Sequence, residues 1–278
     1  MLLLTVYFAV SKVIDYELSV LPQIEVPDTP LPSLPAGTVW KSETLLPGRV
    51  ETKFAVSEEL AGQVWEASRQ YLPADRGIYK PQRITSLYLD APALTFLRWH
   101  KEGRSARFKL RVRGYGDPVG DRVFLEIKRK EGSTVYKQRA EVSTATLTRV
   151  LGDSFTAHPG CPNLQDFMKI RHQFQAEPKV LVSCLREALR ETGPSGETAV
   201  TIDRHISFQP TRRRDLDGEP GAWRSATLPG VTGLETSIVE LKYTEEPPAW
   251  MKALIVRLAP YRVSFSKYRA AMQQHLVM

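Results

Sequence analysis

Residues 107–130, which read RFKLRVRGYGDPVGDRVFLEIKRK, constrain the fold most strongly because charged and apolar side chains alternate along both halves. The first half places a cation at every second position, at Arg107, Lys109, Arg111 and Arg113. The second half alternates Glu126, Lys128 and Lys130 with apolar residues. Successive side chains of a strand point to opposite faces. The pattern therefore predicts two antiparallel strands joined by a glycine-rich turn, each with one apolar and one charged face.

The charged face of this predicted hairpin is unusual because one sign of charge dominates it. Like charges that are neighbours on one face of a sheet repel each other by about a few tenths of a kcal/mol per pair. A solvent-exposed face would normally mix Thr, Ser, Glu and Lys. Two interpretations follow: an exposed basic face, or cations that converge on a polyanion.

Other segments repeat the alternation and favour the second interpretation. Charges two residues apart occur in RVETKF, VYKQRAEV and IVELKY, at Glu51 and Lys53, at Lys137, Arg139 and Glu141, and at Glu240 and Lys242. Several sheet faces lined with cations and a few carboxylates indicate a closed or strongly curved sheet with a charged interior. Such an interior could hold polyphosphate, and its carboxylates could hold a divalent metal.

An ordered set of segments resembles a known family. The segments are ETKF, SLYLD, RFKLRVRGYG, VFLEIKRK, KQRAEV, TIDRHISF, VELKY and FSKYRAAM. In this order they resemble the VTC domain, the catalytic domain of the vacuolar transporter chaperone polyphosphate polymerase and its bacterial relatives, over roughly Arg49 to His275. The family belongs to the CYTH or triphosphate tunnel metalloenzyme superfamily. The resemblance implies an α+β fold in which an antiparallel eight-stranded β-barrel forms a triphosphate tunnel with flanking helices.

The N-terminal region differs in composition from the rest of the chain. Its first ten residues are largely apolar, whereas a membrane-spanning helix needs about 20 such residues. Five prolines between residues 22 and 37 indicate an extended linker. We therefore expect an N-terminal segment and Pro-rich linker over residues 1–40 and a VTC-type tunnel domain over residues 41–278. Two cysteines without metal-like spacing favour a reducing compartment and a cytoplasmic location.

The charge balance narrows the partners. A formal net charge of +7 favours anionic partners, which include nucleic acid, membrane surfaces and phosphorylated small molecules. We do not expect nucleic acid, because the sequence has no P-loop or helix-turn-helix signal and no aromatic stacking strip among the cations. The expected partners are a nucleoside triphosphate and polyphosphate. A membrane-protein partner is expected if the product crosses a membrane, since no transmembrane segment is predicted.

The resemblance implies metal-dependent transfer of the γ-phosphate of a nucleoside triphosphate onto a polyphosphate chain. Such transfer needs charge neutralisation and alignment more than acid–base chemistry. We assign the catalytic role to Arg111, Arg113, Lys128 and Lys267. Phosphate binding is assigned to Lys53, Arg107, Lys109, Lys130, Lys137, Arg139, Arg186 and Lys242. Mn²⁺ or Mg²⁺ is assigned to Glu240, Glu126 and Glu51.

Two departures from the family pattern keep alternatives open. Arg49 replaces the first acid of the Glu-x-Glu-x-Lys pattern of many hydrolytic tunnel enzymes, which disfavours a tunnel triphosphatase. Ala199 stands where the VTC pattern has an arginine, two residues before the Thr of Thr-x-Asp. This loss of a cation favours a non-catalytic polyphosphate- or inositol phosphate-binding domain.

Overall fold

The computed structural model describes five stretches of the chain, namely residues 49–131, 134–152, 161–193, 196–226 and 236–276. The predicted N-terminal segment and linker, residues 1–40, lie outside the described residues, as does the predicted start of the tunnel domain at residue 41.

The described strands form one antiparallel sheet. They are β1 (Arg49–Ser57), β2 (Gln82–Asp90), β3 (Ala106–Tyr115), β4 (Arg122–Glu131), β5 (Thr134–Ser143), β6 (Glu177–Gly193), β7 (Gly196–Pro210), β8 (Arg224–Ser225) and β9 (Thr236–Thr244). Eight of them follow the order β1-β9-β7-β6-β2-β3-β4-β5, and β8 pairs with β7. The predicted hairpin is confirmed, because β3 pairs with β4 and places Lys109 opposite Lys128.

Six α-helices flank the sheet in the described ranges. They are α1 (Glu58–Ser68), α2 (Thr95–Lys101), α3 (Leu147–Val150), α4 (Pro162–Gln173), α5 (Ala249–Leu258) and α6 (Lys267–Leu276). Helix α1 begins after Ser57, whose hydroxyl accepts a hydrogen bond from the Leu60 amide at 3.2 Å. None of the helices in the described stretches has the length and apolar character needed to cross a membrane. The predicted α+β class is confirmed.

The two faces of the sheet have the predicted polarity. On the outer face, Leu110 and Val112 are fully buried in a core with residues of α2, α3 and α4. A second outer core joins β1, β7 and β9 to α1 and α5. The described part of the inner face is apolar at one end, where Tyr268 and Met272 of α6 pack against residues such as Ile84. The rest of the inner face carries the charged side chains of the period-two pattern.

The prediction of a closed eight-stranded barrel is wrong, because the edge strands β1 and β5 do not pair with each other in the described residues. The edges do approach one another, and Lys128 of β4 contacts Glu51 of β1 at 2.8 Å, so the sheet is strongly curved. Part of the outer edge of β1 is covered by another segment, since the Val263 amide donates to the Lys53 carbonyl at 2.9 Å and Phe54 forms a β-bridge with Arg262. Backbone groups engaged in this way cannot also form a ladder with β5.

A buried carboxylate fixes α6 against the inner face. Asp90 at the end of β2 accepts hydrogen bonds from the amides of Phe96 and Leu97 in α2, each at 2.9 Å. It also accepts a hydrogen bond from the Tyr268 hydroxyl of α6 at 2.5 Å. Burial raises the pKa of Asp90 to about 6, against the opposing effect of these hydrogen bonds. Asp90 therefore joins β2, α2 and α6, and it holds in place the helix that begins at Lys267.

We predict that Tyr268→Phe destabilises the protein. The substitution removes a donor from a buried carboxylate, and a buried polar group that loses a partner costs about 1–3 kcal/mol. The free energy of unfolding in urea measures the effect. Tyr261→Phe is the matched control because Tyr261 is exposed, and its midpoint should not change. Equal midpoints for Tyr268→Phe and the unmutated protein would contradict this role of the hydroxyl.

Candidate functional site

The inner face of the curved sheet encloses a basic cavity to which β1 to β7 and β9 all contribute. Thirteen lining residues are Lys or Arg and three are Asp or Glu. The basic residues are Arg49, Lys53, Lys80, Lys109, Arg111, Arg113, Lys128, Lys137, Arg139, Arg186, Arg190, Lys242 and Lys267. The acids are Glu51, Asp75 and Glu240. Since cations this close repel each other, the cavity favours anionic ligands.

Most of the predicted site residues meet in this cavity. All four predicted catalytic residues line it, and so do Lys53, Lys109, Lys137, Arg139, Arg186 and Lys242 of the predicted phosphate-binding set. Arg107 and Lys130 do not line it, although they face each other in the same hairpin. The Arg107 guanidinium instead donates to the backbone carbonyl of Arg104.

Glu126 lies beneath the cations of β3 and β5 and is completely buried. It stands opposite Arg111 on one side and opposite Arg139 on the other. The Glu126 carboxylate accepts from Nε of Arg111 at 2.6 Å and from Nε of Arg139 at 2.9 Å, and it pairs with Nζ of Lys137 at 2.9 Å. Burial opposes ionisation, but these cations hold the pKa of Glu126 well below its usual range. Glu126 therefore orients three cations of the cavity.

Asp203 performs the same task where β6, β7 and α6 meet. Its carboxylate accepts two hydrogen bonds from Arg186, from Nε at 2.6 Å and from Nη2 at 2.7 Å. It also accepts from Nζ of Lys267. Burial raises the pKa of Asp203, but Arg186 and Lys267 outweigh it and hold the pKa below its usual range. The sequence prediction did not include Asp203, although Thr201 and Asp203 continue the period-two pattern on β7.

Glu240 and Glu51 form a third charged group on the neighbouring strands β9 and β1. Glu240 pairs with Lys53 at 3.0 Å and with Lys242 at 2.9 Å. Glu51 pairs with Lys128 at 2.8 Å. Burial raises the pKa of Glu51, and Glu240 nearby adds to this, but Lys128 lowers the pKa enough to leave it below its usual value. The pKa of Glu240 is likewise held well below its usual range, since Lys242 and Lys53 outweigh its burial.

The pKa of Lys242 is also lowered, but for a lysine a lowered pKa favours the uncharged form. Burial lowers its pKa to about 7, assisted by the charges of Arg186 and Arg49 and opposed by Glu240. A lysine with such a pKa changes charge near neutral pH. Lys242 is therefore a cation of the cavity whose charge depends on pH in the physiological range.

Two cations of the cavity have hydroxyl groups, rather than carboxylates, as partners. Lys109 Nζ donates to Ser266 Oγ at 2.9 Å, and Arg113 Nε donates to Ser86 Oγ at 3.3 Å. Neither forms an ion pair within the part of the chain that the structure describes. Burial and repulsion by Lys128 and other cations lower the pKa of Lys109 well below its usual range. This part of the cavity has the charge to bind an anion.

The acids of the cavity do not form a self-contained metal centre. The described residues contain no group of three or more His, Cys, Asp or Glu side chains that could hold a metal ion. Glu126 is below the cavity lining and is surrounded by three cations. Glu51 and Glu240 are diagonal neighbours on the paired strands β1 and β9, so among the described acids they are the candidates to share an ion. Mg²⁺ commonly binds through one or two carboxylates together with substrate phosphates and water, and these two residues fit that arrangement.

The sequence prediction also missed two arginines of the cavity wall. Arg49 precedes Glu51 and Lys53 at the same spacing on β1. Arg190 follows Arg186 and Ala188 at the same spacing on β6. The alternation with a period of two therefore indicated both arginines. It continues along β1 and β6 beyond the residues that the sequence prediction included.

Comparisons with known proteins agree with the sequence patterns at the family level. Two solved structures resemble the chain, the PH1819 and PH1012 proteins of Pyrococcus horikoshii OT3. The first is 12% identical, with 81% of this chain and 99% of that chain covered and a TM-score of 0.40. The second is 11% identical, with coverages of 80% and 98% and a TM-score of 0.39. No curated protein matches the chain. The family model of the VTC domain matches residues 48–276, and the chain therefore belongs to the VTC domain family.

Proposed function

We propose that the protein is a polyphosphate polymerase-like phosphotransferase, which moves the γ-phosphate of a nucleoside triphosphate onto a polyphosphate chain within the basic cavity and releases the nucleoside diphosphate. The observation that carries the proposal is the state of Lys109 and Arg113. Both are cations among other cations, and both have only hydroxyl partners in the described residues. The phosphate oxygens of a polyanion would supply the missing negative charge through charge-assisted hydrogen bonds.

The arrangement of the cations supports binding of a chain of phosphates rather than of one. Each buried carboxylate holds its cations at a different place around the sheet: Glu126 on β4, Asp203 on β7 and Glu240 on β9. Linked phosphates could contact these groups in succession, whereas a single phosphate has fewer oxygens to share among them. Inorganic triphosphate should therefore bind more tightly than phosphate.

Two of the proposed catalytic residues, Arg111 and Lys267, are already held by buried carboxylates, which limits the reorganisation needed during transfer. Glu126 orients Arg111, and Asp203 orients Lys267. Arg111, Arg113, Lys128 and Lys267 would neutralise the charge that develops on the transferred phosphoryl group. The terminal oxygen of polyphosphate is already anionic, so the acceptor needs no general base.

Metal dependence is part of the proposal. Glu240 and Glu51 would hold Mn²⁺ or Mg²⁺ together with phosphate oxygens of the substrate. When bound, the ion would neutralise phosphate charge and help to align the reacting groups. Lys53, Lys242 and Lys128 now pair with these carboxylates, and they would turn to the phosphates instead.

A non-catalytic polyphosphate- or inositol phosphate-binding domain is the second candidate. Ala199 favours it, since a cation of the family pattern is absent there, and so does the pairing of both proposed metal ligands with lysines. A tunnel triphosphatase is less well supported, because only three of the described residues that line the cavity are acids. Incubation of the protein with ATP and Mn²⁺ separates the three: chains on a gel indicate the polymerase, free phosphate the hydrolase, and neither product the binding domain.

We predict that Lys109→Met weakens triphosphate binding but stabilises the protein without ligand. The lowered pKa of Lys109 means that its charge destabilises the folded state. The same charge contributes a contact to a bound anion worth about 1.5–3 kcal/mol. Calorimetry with inorganic triphosphate and thermal melting without it measure the two effects. Arg213→Ala, in an exposed loop, is the control and should change neither. A lower melting temperature together with unchanged affinity would contradict the proposed anion site.

We predict that Glu240→Gln abolishes metal-dependent transfer while triphosphate binding without metal stays equal or becomes tighter. The amide is a poorer ligand for a hard divalent cation, and loss of a negative charge reduces repulsion of a polyanion. A turnover assay with Mn²⁺ and calorimetry in the presence of a chelator measure the two properties. Glu246→Gln, which changes an exposed acid outside the cavity, is the matched control. Full turnover of Glu240→Gln would show that any metal is held elsewhere.

We predict that Lys242 makes triphosphate affinity depend on pH. Because its pKa is lowered to about 7, Lys242 is charged below that pH and loses its charge, and its attraction for anions, as the pH rises through it. Lys242→Arg keeps the charge at all these pH values. The ratio of variant to unmutated affinity, measured from about pH 6 to about pH 9, should therefore increase above neutrality. Titration of the ligand itself cancels in this ratio, and a constant ratio would contradict the prediction.

A further inference from the structure

Ala199 lies in a row of residues that crosses the sheet in register. Lys242 of β9 is opposite it on one side, and Arg190 of β6 is opposite it on the other. Residues directly opposite in antiparallel strands have Cβ atoms about 4.5–5.5 Å apart and point to the same face. Lys242 and Arg190 both line the cavity, whereas Ala199 is fully buried. The position that lacks a cation is therefore flanked by two cations that reach the cavity.

A buried acid holds Arg190 and Arg49 near this position. Glu197 is two residues from Ala199 on β7 and therefore lies on the same face. Its Oε2 atom accepts a hydrogen bond from Nη1 of Arg49 at 3.0 Å, and its Oε1 atom lies 3.7 Å from Nε of Arg190. The side chains of Arg49 and Glu197 are 9% and 8% exposed. Glu197 thus brings two guanidinium groups together at the wall of the cavity.

These groups have unused hydrogen-bonding capacity. Among the described residues, Nε of Arg49 and Nε of Arg190 are both buried and have no hydrogen-bond partner, and neither does the Oε1 atom of Glu197, 3.7 Å from Nε of Arg190. Buried polar atoms are normally satisfied, so an orphaned buried donor calls for an explanation. Both guanidinium groups line the basic cavity, and the side chain of Arg190 is 40% exposed, so it can reach an anion there. Phosphate recognition by arginine uses more than one N–H group.

We infer that Arg190, held with Arg49 by Glu197, supplies the phosphate-binding charge that is absent at position 199. The inference rests on the proposed function, since it extends the same cavity by one phosphate subsite. The charge has moved one strand across the sheet, from β7 to β6, and remains in the same row. The subsite takes one phosphate group of a polyphosphate or nucleoside triphosphate whose other phosphates contact Lys109 and Arg113. Orthophosphate has a single phosphate group and can bind outside this subsite, so its affinity depends less on Arg190.

Calorimetry with inorganic triphosphate tests the inference on three variants of the full chain. Arg190→Ala should weaken binding of triphosphate by about 10- to 100-fold, as expected for loss of a charge-assisted contact, and should weaken binding of orthophosphate much less. Ala199→Arg combined with Arg190→Ala returns the cation to the row from the opposite strand, and it should recover most of the lost affinity. If Arg190→Ala does not fold, Arg190→Gln replaces it, and this variant should also bind triphosphate more weakly than the unmutated protein.

Asp75→Asn distinguishes phosphate contact from a purely structural role. Arg190 Nε also lies 3.7 Å from Asp75 Oδ1, so Arg190 could act only by holding the segment at Asp75 in place. In that case Asp75→Asn would weaken binding as much as Arg190→Ala does, and the inference would be overturned. Contact with phosphate instead predicts unchanged or tighter binding for Asp75→Asn, because an acid is removed from the cavity wall.

The outcomes separate this inference from the proposed function. If the unmutated protein binds triphosphate and Arg111→Ala weakens that binding, the polyanion site stands. Unchanged affinity of Arg190→Ala would then overturn only the inference about Arg190. Failure of the unmutated protein to bind triphosphate at low salt would overturn both.

Discussion

The ion pairs between Glu126 and the cations above it make the basic cavity compatible with a folded protein. Burying several like charges is costly unless opposite charges and hydrogen bonds compensate them. Glu126 compensates Arg111, Lys137 and Arg139 from below. Asp203 and Glu240 do the same on β7 and β9, at another part of the same inner face. The acids neutralise only part of the charge, and the remaining positive charge favours anionic ligands.

The open sheet gives the same charges a second role. With the edge of β1 occupied by Val263, β1 and β5 do not join through backbone hydrogen bonds in the described residues. The ion pair between Lys128 and Glu51 spans the sheet near these edges instead. Lys128 is also a proposed contact of the transferred phosphate. A phosphate that binds Lys128 therefore competes with Glu51 for it and weakens a link across the curved sheet. Ligand binding and the curvature of the sheet thus depend on the same side chain.

The sequence predicted well which side chains face the inside of the sheet. It predicted poorly how far the cavity extends along each strand and whether the sheet closes. Alternation placed Lys109 inside and Leu110 outside because it reports which face a side chain occupies. It does not report how far the cavity extends along a strand, so Arg107 was included and Arg190 was missed. Closure depends on which groups cover an edge, and the contact that covers β1 comes from a distant part of the chain. Likewise, no local pattern predicts the bond between Asp90 and Tyr268, which are 178 residues apart.

Ala199 shows why a missing residue of a family pattern is weak evidence for lost function in a curved sheet. A linear pattern treats each position as independent, whereas a phosphate contacts whatever charge reaches it from any strand. Residues in one row across the sheet can therefore exchange roles, provided that the ion pairs that support the charge exist at the new position. Glu197 provides that support for Arg49 directly and lies near Arg190. The cation content of a whole row, rather than the identity of residue 199, then determines whether the cavity can bind a polyanion there.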